Sequence, residues 1–162
     1  MDVTRHAAAI PCESKRGIIN VSSGGGFYGL PIISVYNACQ FAFEGFTEAL
    51  AFELAAHNVF VKSVVPNESV MATKFNARAL AIDLAPAPAH GEFMQKTGEV
   101  YRGICMIAAR GISADDVAQT IYGAATNATD TFRYMVRHDT LGFLKARQGV
   151  SEGTNDKRYA VA

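Results

Sequence analysis

Two apolar runs frame the most regular part of the chain. Ile18-Ile19-Asn20-Val21 is short, β-branched and nearly continuous in apolar character, the pattern of a strand covered on both faces. Val59-Phe60-Val61-Lys62-Ser63-Val64-Val65 is a second strand, stopped by Pro66. Between them, residues 35–56 carry Phe41, Phe43, Phe46, Leu50, Phe52 and Leu54 interleaved with Glu44, Glu48 and Glu53. That helical pattern is apolar around much of its circumference, which predicts a sheet against one side and a helix against the other. Strand, long helix and strand make a βαβ unit with a right-handed crossover and parallel strands. Ligands of such sheets sit beyond the carboxyl ends of the strands. Ser22 and Ser23 lie at one of those ends, and residues 66–73 at the other.

The flanking pattern is weaker. Residues 2–14 form a mildly amphipathic helical segment with Val3, Ala7 and Ile10 on one side. It starts with neither a cap nor a strand before it, so we expect a segment upstream. Lys15-Arg16-Gly17 reads as a turn, with Gly17 as helix terminator. Residues 67–89, rich in Ala, Pro and small polar residues, read as an irregular flap. Residues 91–109 read as helix. Ser113 caps a helix over 114–126, with Asp115 and Asp116 well placed in its first turn. Phe132 to Val136 is a candidate third strand, 141–148 a short last helix, and 149–162 a polar tail.

Composition narrows the class. The 162 residues amount to one domain, with 49% hydrophobic and 19% charged residues. Fifteen Lys plus Arg balance fifteen Asp plus Glu, so no overall field favours nucleic acid or an anionic membrane. No apolar run reaches membrane-spanning length, and no secretory signal opens the chain. Cys12, Cys39 and Cys105 are far apart and odd in number, which fits reduced thiols in the cytoplasm. No histidine pair among His6, His57, His90 and His138 has zinc spacing, so we expect no metal site.

The candidate chemistry lies in the glycine-rich connection. Gly24-Gly25-Gly26 lacks the lysine partner of a phosphate cradle and reads as a turn. Ser23 leaves the first strand, Tyr36 enters the long helix, and Gln40 lies four residues on, on the same helical face. Cys39 has no nearby base and reads as packing. Ser22 reads as an ordinary strand-end polar residue.

Ile18-Ile19-Asn20-Val21-Ser22-Ser23, then Gly26 and Gly29-Leu30-Pro31, then Tyr36-Asn37-Ala38-Cys39-Gln40 resemble the active-site half of short-chain dehydrogenases/reductases. In that family a serine precedes the tyrosine by thirteen residues, the separation of Ser23 from Tyr36. The segments 41–50, 61–66, 115–118 and 132–134 extend the likeness over residues 2–147 or so. The resemblance implies an α/β fold: a partial Rossmann-like three-layer domain of about three parallel strands with helices on both faces. It implies NAD or NADP as cofactor and a small alcohol or carbonyl as substrate. The serine would hold the substrate oxygen and the tyrosine would deliver a proton. By the same resemblance Tyr36, Gln40, Pro66, Asn67 and Thr73 would contact the cofactor, and helix 35–56 would pair in a homodimer.

The chain departs from the family at the lysine that follows the tyrosine by one turn. Gln40 stands there; it can hydrogen-bond a ribose hydroxyl but carries no charge. If the missing ammonium is worth about two pKa units, phenolate at neutral pH falls roughly a hundredfold. Asn67 replaces the family's glycine after Pro66, a mild change because asparagine tolerates left-handed backbone. The family's glycine-rich dinucleotide turn has no counterpart in these residues. The expectation is a single incomplete domain over 1–162, folded over 1–148, with an exposed sheet edge and a tendency to associate. Two functions follow: an NAD(P)-dependent oxidoreductase represented by its catalytic half, or a silent remnant or interaction module that keeps the fold without binding cofactor.

Overall fold

The computed structural model describes residues 16–30, 33–66, 91–93, 95–99 and 112–136. Three strands form one parallel sheet in the order β1 (Arg16–Val21), β2 (Val59–Val65), β3 (Arg133–Met135). Helix α1 (Ser34–Ala55) links β1 to β2, and helix α2 (Ala114–Thr126) precedes β3. The register runs from Arg16 opposite Val59 to Val21 opposite Val64, and from Ser63 opposite Arg133 to Val65 opposite Met135. The βαβ unit, its parallel sense and the third strand are as the hydrophobic pattern predicts. Among the described residues, β1 pairs with β2 alone.

Gly17 corrects the sequence reading. It belongs to β1, opposite Phe60 in the register. A Cβ there would fall inside the Phe60 ring, so the glycine makes room for a cross-strand aromatic. The readings for 2–14, 67–89, 141–148 and 149–162 lie outside the described residues. So does most of the helix read over 91–109, of which 91–93 and 95–99 are helical.

Side chains alternate across a strand, so Ser63 faces one side of the sheet and Lys62 and Val64 the other. Ser63 bonds to Glu44 of α1, whereas Lys62 reaches Ala124 of α2, which puts the two helices on opposite faces. The α2 side is apolar: Val64, Ile112, Ala124 and Val136 are buried together, with Ile19, Val117, Ile121 and Tyr134 packed around them. Ser113 caps α2 in a reciprocal box, accepting from the Asp116 N–H while Asp116 accepts from the Ser113 N–H. At the other end Lys62 Nζ donates to the Ala124 carbonyl at 2.9 Å, so a strand cation satisfies a last-turn acceptor.

The α1 side is different. The buried residues of α1 are Asn37, Glu44, Thr47 and Leu50, three of them polar. Its phenylalanines lie further out, with Phe41 40% and Phe52 77% exposed. The expectation of an apolar helix face against the sheet is therefore inverted at Glu44. The sheet explains the inversion. Asn20, Ser63 and Arg133 stand in register across the three strands, and each meets a polar partner on α1.

Candidate functional site

The carboxyl ends of β1 and β2 are tied together beyond the regular ladder. The Ser22 N–H donates to the Val64 carbonyl at 2.9 Å and the Gly24 N–H to the Pro66 carbonyl at 3.0 Å. Ser23, extended at φ −154°, then caps a 3₁₀ turn over Gly24–Gly26, its Oγ accepting from the Gly25 N–H at 3.2 Å. One lone pair of the Ser23 hydroxyl is thereby engaged, which leaves its proton to be given elsewhere.

Helix α1 comes down directly on this turn. A Cβ on Gly25 would stand 3.0 Å from Tyr36 Cε1 and 3.2 Å from Asn37 Nδ2. A Cβ on Gly26 would stand 3.0 Å from both the Gln40 carbonyl oxygen and Glu44 Cγ. Gly25 and Gly26 are a contact surface for the helix, and the reading of the triplet as a turn agrees with that use. Ser23 and Tyr36 thus both border Gly25, Ser23 through a bond from its N–H and Tyr36 with a ring edge close to where its Cβ would stand. Tyr36 is half-buried, at the first turn of α1. Gln40, one turn on, has a buried Oε1 with no hydrogen-bond partner among the described residues. Pro66 lies at the same edge through its bond to Gly24; Asn67 and Thr73 lie outside the described residues.

Behind this pair lies a buried carboxylate. Glu44 is 3% exposed, and Ser22 and Ser63 both donate to its Oε1, the latter at 2.6 Å. Arg133 Nε donates to Oε2 at 2.9 Å, and Arg133 Nη2 reaches Glu48 at 2.9 Å. Arg133 also stacks over Phe27, at the end of the glycine turn, and over Phe132. Burial alone would lower the guanidinium pKa, but the bonds and charges of Glu44 and Glu48 outweigh it and the net direction is up. Ser22 is therefore more than a strand-end polar residue. It is one of three donors, with Ser63 and Arg133, that hold the helix against the sheet.

The family model described as short chain dehydrogenase matches residues 1–81, half of the chain. The chain belongs to the short-chain dehydrogenase family. It is similar to an uncharacterized oxidoreductase of Schizosaccharomyces pombe, 26% identical over 137 residues that cover 85% of this chain and 55% of that protein. It is similar to human retinol dehydrogenase 8, 31% identical over 150 residues that cover 85% of this chain and 47% of the relative. In fold it is like a short chain dehydrogenase/reductase from Burkholderia phymatum solved with NAD, at a TM-score of 0.59 and 20% identity, over 84% of this chain and 48% of that one. The chain spans about half the length of the relatives it matches.

Within this member of the short-chain dehydrogenase family, sequence reasoning missed three residues at or near the site and a fourth, Lys62, on the opposite face of the sheet. Glu44 carried a signal, since it follows Tyr36 and Gln40 at four-residue steps on one helical face. Asn37 and Arg133 carried none, because their partners come from loop backbone and from a strand far along the chain. Lys62 was read as one polar position in a strand, yet it is 5% exposed and holds Ala124, Asn127 and Tyr134. Cys39, read as packing, is exposed. No group of three or more metal-ligating side chains occurs among the described residues, and no described helix is long and apolar enough to cross a membrane.

Proposed function

We propose that this chain carries the catalytic half of an NAD(P)-dependent oxidoreductase that interconverts a small alcohol and its carbonyl compound. The observation that carries the reading is that Ser23 and Tyr36 both border Gly25. When bound, a nicotinamide dinucleotide supplies or accepts the hydride. Ser23 gives its free hydroxyl proton as a hydrogen bond to the carbonyl oxygen, where negative charge develops. The Tyr36 phenol transfers its proton to that oxygen, completing the alcohol, and is reprotonated from solvent. Gln40 fits the cofactor: an unpaired buried acceptor on the Tyr36 face suits a ribose hydroxyl, and filling it removes the cost of an unmet polar atom. Pro66, Asn67 and Thr73 complete the proposed cofactor contacts by their place after β2. A single domain over residues 1–162, a cytoplasmic setting and a homodimer through α1 belong to the same proposal.

Titration with NADH and NADPH, followed by cofactor fluorescence, tests the reading, and turnover of retinaldehyde is the first activity to measure, after the alcohol in the human relative's name. We expect saturable binding. Gln40→Lys restores a cation beside the phenol and should raise turnover at neutral pH by roughly tenfold to a hundredfold. No binding in the millimolar range would favour the second reading, a fold kept without its cofactor.

A further inference from the structure

We propose that Asn37 is a positioning residue that sets the Ser23 hydroxyl by clamping the glycine turn; this rests on the oxidoreductase reading of the site. Asn37 directly follows Tyr36, is 6% exposed, and spends its whole side chain on the turn. Its Nδ2 donates to the Gly25 carbonyl at 2.7 Å and the Tyr28 carbonyl at 3.0 Å. Its Oδ1 accepts from the Leu30 N–H at 3.1 Å. Both amide protons are therefore used, and the oxygen takes a third bond. These three bonds span the connection from Gly25 to Leu30.

Gly25 is where the clamp reaches the chemistry. Its carbonyl is held by Asn37 and its N–H is held by Ser23 Oγ. Fixing the carbonyl fixes the orientation of the residue, and with it the direction in which its N–H engages the serine. That engagement decides which side of Ser23 Oγ keeps a free proton. Because Asn37 and Tyr36 are neighbours on one helix turn, the same residue ties the position of the hydroxyl to that of the phenol. A glycine turn has the greatest backbone freedom of any sequence, so an external clamp is the physical means of holding it. Small displacements at a reacting pair are costly, with misplacement by about 1 Å lowering rates as much as a hundredfold.

The test uses the full chain with Asn37→Ala and the isosteric Asn37→Asp. The aspartate keeps an acceptor for the Leu30 N–H but turns a carboxylate oxygen towards two carbonyls. Amide hydrogen exchange should show Gly25 and Leu30 losing protection in Asn37→Ala, with β2 amides unchanged. In Asn37→Asp, Leu30 should stay protected while Gly25 loosens. With NADPH and retinaldehyde, kcat should fall about tenfold to a hundredfold in both variants, while KM and cofactor affinity stay within about twofold. Gly25 protection retained in Asn37→Asp, or loosened without a fall in kcat, would overturn the proposal. If Asn37→Ala exposes β2 amides as well, the aspartate variant decides. If the wild type binds neither NADH nor NADPH and does not turn over, the oxidoreductase reading fails, and Gly25 exchange alone decides whether the clamp exists.

Discussion

Gly17 and Gly26 both stand where an added side chain would be crowded, and they differ in what stands in the way. At Gly26 a Cβ meets the Gln40 carbonyl oxygen at 3.0 Å, a backbone atom of a helix that cannot retreat by itself. At Gly17 the obstacle is the far end of the Phe60 ring, which can swing outward. Gly26→Ala should therefore cost about 1–3 kcal/mol and Gly17→Ala less, as measured by urea denaturation. Equal losses would mean that the helix yields as readily as the ring. Tyr134 supplies a second residue-scale prediction. Desolvation raises its pKa, but hydrogen bonds with Thr129, Asn127 and Lys62 and the Lys62 charge outweigh it, so the phenol is shifted below its ordinary value. An acid with a lowered folded pKa adds stability that is fully present above the unfolded value of about 10 and is lost as pH falls through the folded value. The stability gap between wild type and Tyr134→Phe should widen as pH rises towards that region. A gap that stays flat from about pH 8 to about pH 11 would remove the phenolate from the account.

At the scale of elements, α1 depends on one carboxylate. Removing Glu44 leaves the hydroxyls of Ser22 and Ser63 and the half-buried Arg133 without their shared acceptor. Glu44→Ala should lose about 2–4 kcal/mol, because breaking a buried pair strands the remaining charge and donors. Glu44→Gln keeps the shape and one acceptor and should lose less, about 1–2 kcal/mol. Thermal and urea unfolding would check both. A loss below about 0.5 kcal/mol for the alanine variant would show that water replaces the carboxylate. Helix α2 is held by other means, with a serine box at its start, a strand lysine at its end and an apolar face between. The two helices of one small sheet thus have opposite chemistry at their contact faces. The α2 boundaries were legible because caps are local, whereas the α1 contact face was not, because it depends on strands that arrive from both sides of it in sequence.

Across the whole molecule, the exposed apolar surface of α1 is its most consequential feature. Val35 and Phe52 are each 77% exposed near the two ends of the helix, and Phe41 is 40% exposed between them. We propose that this surface is where two copies pair. Sedimentation of Phe52→Glu should then show a shift towards monomer, whereas a wild type that is monomeric at every concentration would reject it. Helix α1 leaves none of its phenylalanines fully buried: Phe43 and Phe46 are half-buried, and Phe41 and Phe52 are exposed.

By itself the sequence determined the βαβ order, the parallel sense of the strands, and the limits of β2 and α2. All of these rest on short-range signals: β-branched runs, a serine cap and a proline stop. Tertiary structure decided the rest. It buried Glu44 and Lys62, turned Gly25 and Gly26 into helix contacts, and recruited Asn37 to hold the turn. A polar residue enters a core only where partners wait for it. Those partners, Ser63 and Arg133 for Glu44 and Ala124 for Lys62, come from chain segments that hydrophobic periodicity does not connect.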